Sequence, residues 1–162
     1  MIPAKGTEND VDEIIPGLFL GNQKSSYDEE FLKNYDIKYV IRVMPEFDFS
    51  KKYPNIIYYH IPIKDSKTCN NSESSRINYQ QMFHNITILI NELLEKHNGN
   101  ILIHCKRGHH RSSAIVAAYL VKYKGFSYQE AINYIKKIRP YALRKTSCVM
   151  NELYKYCLSD IK

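Results

Sequence analysis

Residues 101–112 read ILIHCKRGHHRS, and this stretch decides both the fold and the chemistry that we predict for the chain. Its apolar start predicts a short buried strand that ends near Cys105. The small and apolar residues of 112–124 predict a helix, which Gly125 ends at its C′ position. Five residues lie between Cys105 and Arg111, so both flank one tight strand-to-helix loop.

This loop has the composition of an anion site. Helix N-termini carry unpaired N–H groups and a partial positive charge, and a loop curled over them forms a nest for a tetrahedral anion such as phosphate. The same nest favours the thiolate of Cys105, the candidate nucleophile. The Arg111 guanidinium can grip two phosphate oxygens in bidentate fashion. Gly108 suits a turn with positive φ, and Ser112 can donate a hydrogen bond that stabilises the sulfur as a leaving group.

The same residues could serve other kinds of site. A cysteine protease would need a histidine base beside Cys105, but successive strand residues point to opposite faces. We therefore expect His104 behind the loop, hydrogen-bonded to the backbone and supporting it. A zinc site made of His104, Cys105, His109 and His110 would need four ligands to converge from one tight turn, so we predict no metal. Cys105 could also be a buried residue that only fills space in the core, with Arg111 a solvated helix residue. That interpretation would leave the basic residues of the loop unexplained.

A thiolate that attacks phosphorus needs a general acid for the leaving oxygen. The sequence predicts a buried strand over 38–44 and a second strand over 56–63, and Asp65 follows the second strand. Parallel strands place their carboxyl ends along one sheet edge, so Asp65 and Cys105 should share that edge. Asp48, in the loop after the first strand, is the alternative acid. Either aspartate could instead be an ordinary solvated loop residue.

Helix-capping patterns and apolar spacing locate the remaining elements. Ser26 followed by Glu29 forms a capping box and predicts a helix over about 27–35. Ser127 followed by Glu130 predicts another. Further expected elements are extended segments on either side of a turn at Pro16-Gly17, a long amphipathic helix between 77 and 97, a helix reaching 138, and a last helix over about 147–159.

Strands that alternate with helices predict an α/β fold. We expect a central mixed, mostly parallel sheet of about five strands with helices on both faces. A chain of 162 residues corresponds to one domain. We expect residues 1–162 to form that single catalytic domain, with its core over about 14–158.

Composition limits the partners and the compartment. The formal net charge is +6, from 23 basic and 17 acidic side chains, which suits an anionic partner. The four cysteines form no C-x-x-C pair, which disfavours zinc ribbons and thioredoxin-type motifs. No apolar run approaches a membrane span, and the polar start lacks the apolar core of a signal peptide. We expect a cytoplasmic protein, with the nucleus as the alternative, and no stable binding of nucleic acid.

The residues resemble those of the dual-specificity protein tyrosine phosphatases. The resemblance covers about 14–158 and includes IPGLFLG at 15–21, Ile-Pro-Ile-x-Asp at 61–65, and His-Cys-x-x-Gly-x-x-Arg-Ser at 104–112. Residues 118–120 and 131–140 also resemble the family's two following helices. Asp, Cys and Arg follow one another in the family's order. Low-molecular-weight phosphatases instead place the cysteine loop near the N-terminus and the aspartate late.

The resemblance implies a role for each matching residue. Cys105 would form a cysteinyl-phosphate, Arg111 would bind the phosphate and stabilise the transition state, and Ser112 would assist departure of the thiolate. Asp65 would act as acid and then as base. A chain this short would have a shallow pocket, open to phosphotyrosine, phosphoserine and phosphothreonine in proteins. The resemblance implies no cofactor and no metal.

Two departures from the family bear on the substrate and on the support of the loop. Many members have Ser or Ala where this chain has His110, and the whole loop is closer to that of plant and fungal atypical members, which are associated with inositol pyrophosphates. Residues 144–147 also replace the stretch in which members commonly carry a loop-supporting Asn.

The basic residues of this region define a candidate substrate-binding rim. Lys106 and Arg107 could be merely solvated cations, whereas a real cluster would favour a densely anionic substrate. Such a substrate would be an acidic phosphopeptide, an inositol pyrophosphate, a phosphoinositide or an RNA 5′-triphosphate. Binding of phosphorylated partners without turnover, as in a pseudophosphatase, is a further alternative. The candidate binding residues are Lys106, Arg107, Gly108, His109 and His110, with Arg144 and Lys145 nearby.

Overall fold

The secondary structure follows the predicted alternation of strands and helices. The computed structural model describes residues 9–45, 52–64, 78–144 and 147–159. The strands are β1 (Val11–Ile15), β2 (Leu18–Gly21), β3 (Ile37–Val43), β4 (Ile57–Ile61) and β5 (Asn100–His104). The helices are a 3₁₀ helix (Gln23–Tyr27), α1 (Glu29–Asn34), α2 (Tyr79–Lys96), α3 (Arg111–Lys124), α4 (Tyr128–Ile138) and α5 (Cys148–Leu158). Of the helices in this described part, none is both long and apolar enough to cross a membrane.

The strands form one sheet in the order β1-β2-β5-β3-β4. β1 and β2 pair antiparallel across the predicted Pro16-Gly17 turn, and Gly17 adopts the positive φ of +89° that this turn requires. The β2–β5, β5–β3 and β3–β4 pairs are parallel. The predicted mixed, mostly parallel sheet of about five strands is therefore confirmed. β5, which leads into Cys105, is its central strand.

Residue alternation along β5 divides the core into two layers. Ile101 and Ile103 belong to the larger apolar cluster, to which α2, α3, α4 and α5 contribute. Leu102 belongs to the smaller cluster on the opposite face, together with Phe31 and Leu32 of α1. The expected helices on both faces of the sheet are confirmed.

The helix after the loop, α3, is the central helix of the larger layer. Every residue from Arg111 to Val121 is buried, and several are small, which permits close approach of the sheet and the neighbouring helices. Gly125 ends the helix in a left-handed conformation with φ +75°, as predicted. This burial fixes the N-terminus of α3 beneath the loop that contains Cys105.

The two predicted capping boxes had different outcomes. Ser127 and Glu130 form the complete box that begins α4. The prediction of a capping box at Ser26 is wrong, because Ser26 lies inside the 3₁₀ helix and its hydroxyl donates to the Gln23 carbonyl. α1 is instead capped by Asp28, whose carboxylate accepts from the amide of Phe31 at 3.1 Å. Asp28 immediately precedes the first helical turn, where an N-cap acceptor can reach the unpaired amides.

Candidate active site

Residues 105–110, here the Cys105 loop, connect the carboxyl end of β5 to the N-terminus of α3. Cys105 is buried, with 2% of its surface exposed. His110 is the N-cap residue of α3, and its side chain makes no capping hydrogen bond. The first amides of α3 are therefore not capped by that side chain and remain suited to an anion.

Two donors contact the sulfur of Cys105. The Gly108 amide lies 3.3 Å from Sγ, and the Ser112 hydroxyl oxygen lies 3.1 Å from it. Hydrogen bonds to an ionised acceptor are stronger than those between neutral groups, so both donors favour the thiolate. Ser112 comes from the first turn of α3, where it is fully buried and therefore fixed in place.

Arg111 opens α3 and lies largely buried beside the loop, with 8% of its surface exposed. Its Nη1 donates to the carbonyl oxygen of Ile63 at 3.0 Å. Ile63 follows the end of β4, so this bond joins α3 to the segment that leads towards Asp65. The two aspartates predicted as acids, Asp65 and Asp48, lie outside the described residues.

The carbonyl groups of the Cys105 loop are held by donors from the surrounding structure. The imidazole Nδ1 of His104 lies 3.1 Å from the Cys105 carbonyl oxygen. The Gln23 amide donates to the carbonyl of Lys106 at 3.0 Å. The Ser113 hydroxyl donates to the carbonyl of Gly108 at 3.0 Å.

The other three carbonyls of the loop also accept hydrogen bonds, from one side chain and two backbone amides. Arg139 Nη2 donates to the Arg107 carbonyl at 3.4 Å, the Leu143 amide to that of His109 at 2.7 Å, and the Ala114 amide to that of His110 at 2.8 Å. In a trans peptide the N–H points opposite to the C=O. The Gly108 amide, which lies opposite the Arg107 carbonyl, accordingly points to Cys105 Sγ, as expected of an anion nest.

His104 lies on the opposite side of β5 from the Cys105 thiol and is fully buried. Burial lowers its pKa to about 4, against the opposing effect of its hydrogen bond to the Cys105 carbonyl, and the charges of Arg42 and Arg111 lower it further. The imidazole is therefore neutral at pH 7, and Nδ1–H is the donor to the Cys105 carbonyl. Arg42 lies on β3 as the register partner of His104.

A pocket of about 380 Å³ opens above the Cys105 loop. Arg144 lies at its mouth, with the guanidinium carbon 4.8 Å from the ring centre of Tyr141, close enough for a cation–π contact. Lys145, predicted beside it, lies outside the described residues. The pocket is lined by Cys105, Lys106, Arg107, His109, His110, Arg111 and Arg144.

The lining therefore brings together the predicted nucleophile, the predicted phosphate ligand and most of the predicted rim. It contains no carboxylate among the residues that the structure describes. His104 is separated from the other three residues of the zinc hypothesis by its position behind the strand. Within the described ranges, no three His, Cys, Asp or Glu side chains are grouped so as to hold a metal ion.

Sequence reasoning missed the outer donors of the loop. Gln23 and Leu143 act through backbone amides, for which a side chain gives no signal. Arg139 acts through its side chain, which is buried and paired with Asp12 at 2.7 Å. The only hint of this role in the sequence is that Arg139 directly precedes Pro140, at the end of a predicted helix.

Comparison with known proteins identifies the family. Residues 18–157 match the family model described as dual specificity phosphatase, catalytic domain. The chain belongs to this family. The match includes the Cys105 loop and the whole of the sheet except β1.

Individual relatives agree with this membership. The dual specificity protein phosphatase Mpk3 of Drosophila melanogaster is 35% identical over 130 residues, covering 79% of this chain and 29% of that protein. Human dual specificity protein phosphatase 5 is 32% identical over 127 residues, covering 78% of this chain and 30% of that protein. The chain thus spans less than a third of the length of these curated relatives.

A solved structure shows the same fold. The crystal structure of human DUSP28 superposes with a TM-score of 0.78 at 21% sequence identity. The superposition covers 95% of this chain and 97% of that one. The α/β architecture predicted from the sequence is therefore that of solved dual-specificity phosphatase structures.

Proposed function

We propose that the chain is a cysteine-dependent phosphatase that hydrolyses phosphotyrosine, phosphoserine and phosphothreonine in proteins. The observation that carries this proposal is the position of Cys105 Sγ at the base of a cationic pocket. There Sγ accepts from the Gly108 amide and the Ser112 hydroxyl, beside the cations Lys106, Arg107 and Arg111 of the pocket lining. We propose that residues 1–162 act as one catalytic domain.

In the first step, the Cys105 thiolate attacks phosphorus and the bond from phosphorus to the ester oxygen breaks. Asp65 donates its proton to the departing oxygen, so the substrate leaves as a neutral alcohol or phenol. Arg111 and backbone amides of the Cys105 loop bind the equatorial oxygens, on which the transition state spreads its negative charge. The hydrogen bond from Arg111 to Ile63 supports this assignment, since it ties the guanidinium to the segment that precedes Asp65.

In the second step, water attacks the phosphorus of the cysteinyl-phosphate and Asp65 accepts its proton. The bond from sulfur to phosphorus breaks, which releases inorganic phosphate and restores the Cys105 thiolate. The donors Ser112 and Gly108 stabilise the sulfur as its negative charge returns. His104 supports the loop from behind, in its neutral form.

The relatives support a phosphoprotein as the substrate. Mpk3 and human phosphatase 5 are both named dual specificity protein phosphatases, which favours this substrate class over an inositol pyrophosphate, a phosphoinositide or an RNA 5′-triphosphate. The exposed cations of the rim, Lys106, Arg107 and Arg144, would then contact acidic groups that flank the phosphorylated residue. His109 and His110, which also line the pocket, would contact the phosphate-bearing side chain, and Gly108 would act through its amide at the sulfur.

The test compares the wild-type chain with Cys105→Ser on an aryl phosphate and on phosphotyrosine and phosphothreonine peptides. We expect turnover that survives EDTA, is inhibited by vanadate, and is abolished by Cys105→Ser. Cys157→Ser is the matched control, because Cys157 is also a buried cysteine but lies on α5. Phosphopeptide binding by wild-type protein without turnover would reject the proposal in favour of a phosphate-binding pseudophosphatase.

A further inference from the structure

A partly buried ion pair lies directly behind the Cys105 loop. Arg139 follows the last residue of α4, and its side chain is fully buried. Its Nη1 lies 2.7 Å from Oδ2 of Asp12, on the edge strand β1, and 3.0 Å from the carbonyl oxygen of Asn9. Its Nη2 lies 3.4 Å from the carbonyl oxygen of Arg107. The guanidinium therefore connects β1 with the loop.

The Arg107 carbonyl and the Gly108 amide belong to the same peptide unit. That amide is the one that donates to the sulfur of Cys105, at 3.3 Å. Because the C=O and N–H of a trans peptide point in opposite directions, Arg139 and the sulfur lie at the two ends of one peptide dipole. A cation at the carbonyl end polarises the peptide and strengthens its N–H as a donor.

Close packing fixes the orientation of this peptide. Gly108 has φ +75°, and a Cβ atom at that position would lie 2.8 Å from Arg139 Nη2 and 2.7 Å from the carbonyl oxygen of Gly21. Both distances are too short for a methyl group. The guanidinium and the β2 backbone thus enclose the peptide on the side away from the sulfur.

We propose that Arg139, held by Asp12, is a positioning residue for the nucleophile. It acts through the 107–108 peptide, orienting and polarising the Gly108 amide so that the amide stabilises negative charge on Cys105. The inference rests on the proposed function, in which that charge is present on the attacking and the departing sulfur.

The test measures ionisation of the thiol independently of turnover. The rate at which iodoacetamide alkylates Cys105 is followed against pH, by mass spectrometry of the peptide that contains it. In Arg139→Met we expect the midpoint of this profile to move up by about 0.5–1 pH unit, since one hydrogen bond to the charged form is weakened. We expect kcat on an aryl phosphate to fall by about 3–10-fold, with a smaller change in KM.

A second variant guards against simple misfolding. Arg139→Met alone leaves the Asp12 carboxylate without its cationic partner, although Asn9 Nδ2 still donates to it at 2.9 Å. Asp12→Asn combined with Arg139→Met removes both charges and is better tolerated. The double variant should regain thermal stability but keep the shifted alkylation profile. Lys155→Gln is the control, because it breaks the exposed Lys155–Glu152 pair on α5 and should change neither property.

A folded double variant whose alkylation midpoint equals that of the wild type would overturn the proposal and leave Arg139 a purely structural role. The alkylation result is informative even if the protein turns over no phosphoester. Failure of the proposed function would appear as absent turnover in the wild type, whereas failure of this inference would appear as an unchanged midpoint.

Discussion

The amide of Leu143 donates a 2.7 Å hydrogen bond to the carbonyl of His109 from a left-handed backbone conformation, with φ +56° at Leu143. Non-glycine residues rarely adopt this conformation, because Cβ approaches the carbonyl oxygen that follows it. Here the conformation aims an amide at the Cys105 loop while the buried Leu143 side chain packs into the core. Local backbone strain at this turn thus supports the functional site.

This strain predicts an unusual order of stability at position 143. Leu143→Gly and Leu143→Ala both lose the buried side chain, but only glycine relieves the strain. We expect Leu143→Gly to be more stable than Leu143→Ala by about 1 kcal/mol, the reverse of the order in helices. Urea unfolding of the two variants measures the difference, and a more stable alanine variant would refute the strain.

Ser112 should matter most when the sulfur departs. Ser112→Ala removes the hydroxyl donor at 3.1 Å from Sγ, so hydrolysis of the cysteinyl-phosphate should become slower than its formation. A hydrogen bond to a charged group contributes roughly 1.5–3 kcal/mol, so kcat should fall by about 10–100-fold. Rapid-quench kinetics should show a burst of product that matches the enzyme concentration. Ser113→Ala is a useful comparison, since Ser113 donates to the Gly108 carbonyl and not to the sulfur.

Gly108 and Gly125 have the same φ of +75°, so a comparison of their alanine variants separates backbone strain from steric crowding. Gly108→Ala introduces both, because its Cβ would meet the Gly21 carbonyl and Arg139, whereas a Cβ at Gly125 meets nothing within 4 Å. Gly125→Ala should cost about 1 kcal/mol of unfolding free energy and leave kcat unchanged. Gly108→Ala should cost more and should reduce kcat/KM by at least about 10-fold. If Gly108→Ala and Gly125→Ala lost equal amounts of unfolding free energy and of activity, the crowding at Gly108 would be contradicted.

Burial of His104 predicts a loss of stability in mild acid. The pKa of His104 is about 4 in the folded protein, against an ordinary value of 6.5 for histidine. Between pH 6.5 and pH 4 the imidazole is therefore protonated in the unfolded chain but neutral in the folded protein. Above pH 6.5 the penalty is absent; it grows as the pH falls, and below pH 4 it reaches on the order of 3 kcal/mol. His104→Asn should remove this component from the pH dependence of unfolding.

His97→Asn is the matched control for this measurement, since His97 is an exposed histidine with φ +54°, a conformation that asparagine tolerates. The control should unfold with the pH dependence of the wild type. If His104→Asn loses stability between pH 6.5 and 4 as steeply as the wild type, another group is responsible.

The sequence could predict those parts of the molecule that local physics determines. The apolar β5 segment, the loop and α3 each carry their own signal in hydrophobic periodicity and in Gly125, so the strand–loop–helix unit was predicted with its limits nearly correct. The Ser127–Glu130 capping box could be predicted because its two side chains are only three residues apart. The Ser26 box failed because Asp28, two residues later, caps the helix from a better position.

The outer support of the loop could not be predicted, because it depends on tertiary contacts. The Gln23 and Leu143 amides can be placed only once the fold is known. The Asp12–Arg139 pair joins residues 127 positions apart, and no local pattern relates them. A side-chain motif thus identified the reacting residues but not the residues that orient them.

The distribution of these donors also bears on how the protein folds. Three carbonyls of the Cys105 loop are held from distant segments of the chain, which are the 3₁₀ helix, the end of α4 and the turn after it. Contacts of large sequence separation carry a high loop-closure entropy and form late. The anion site should therefore be among the last features to appear on refolding, so that recovery of oxyanion binding lags behind recovery of helical circular dichroism.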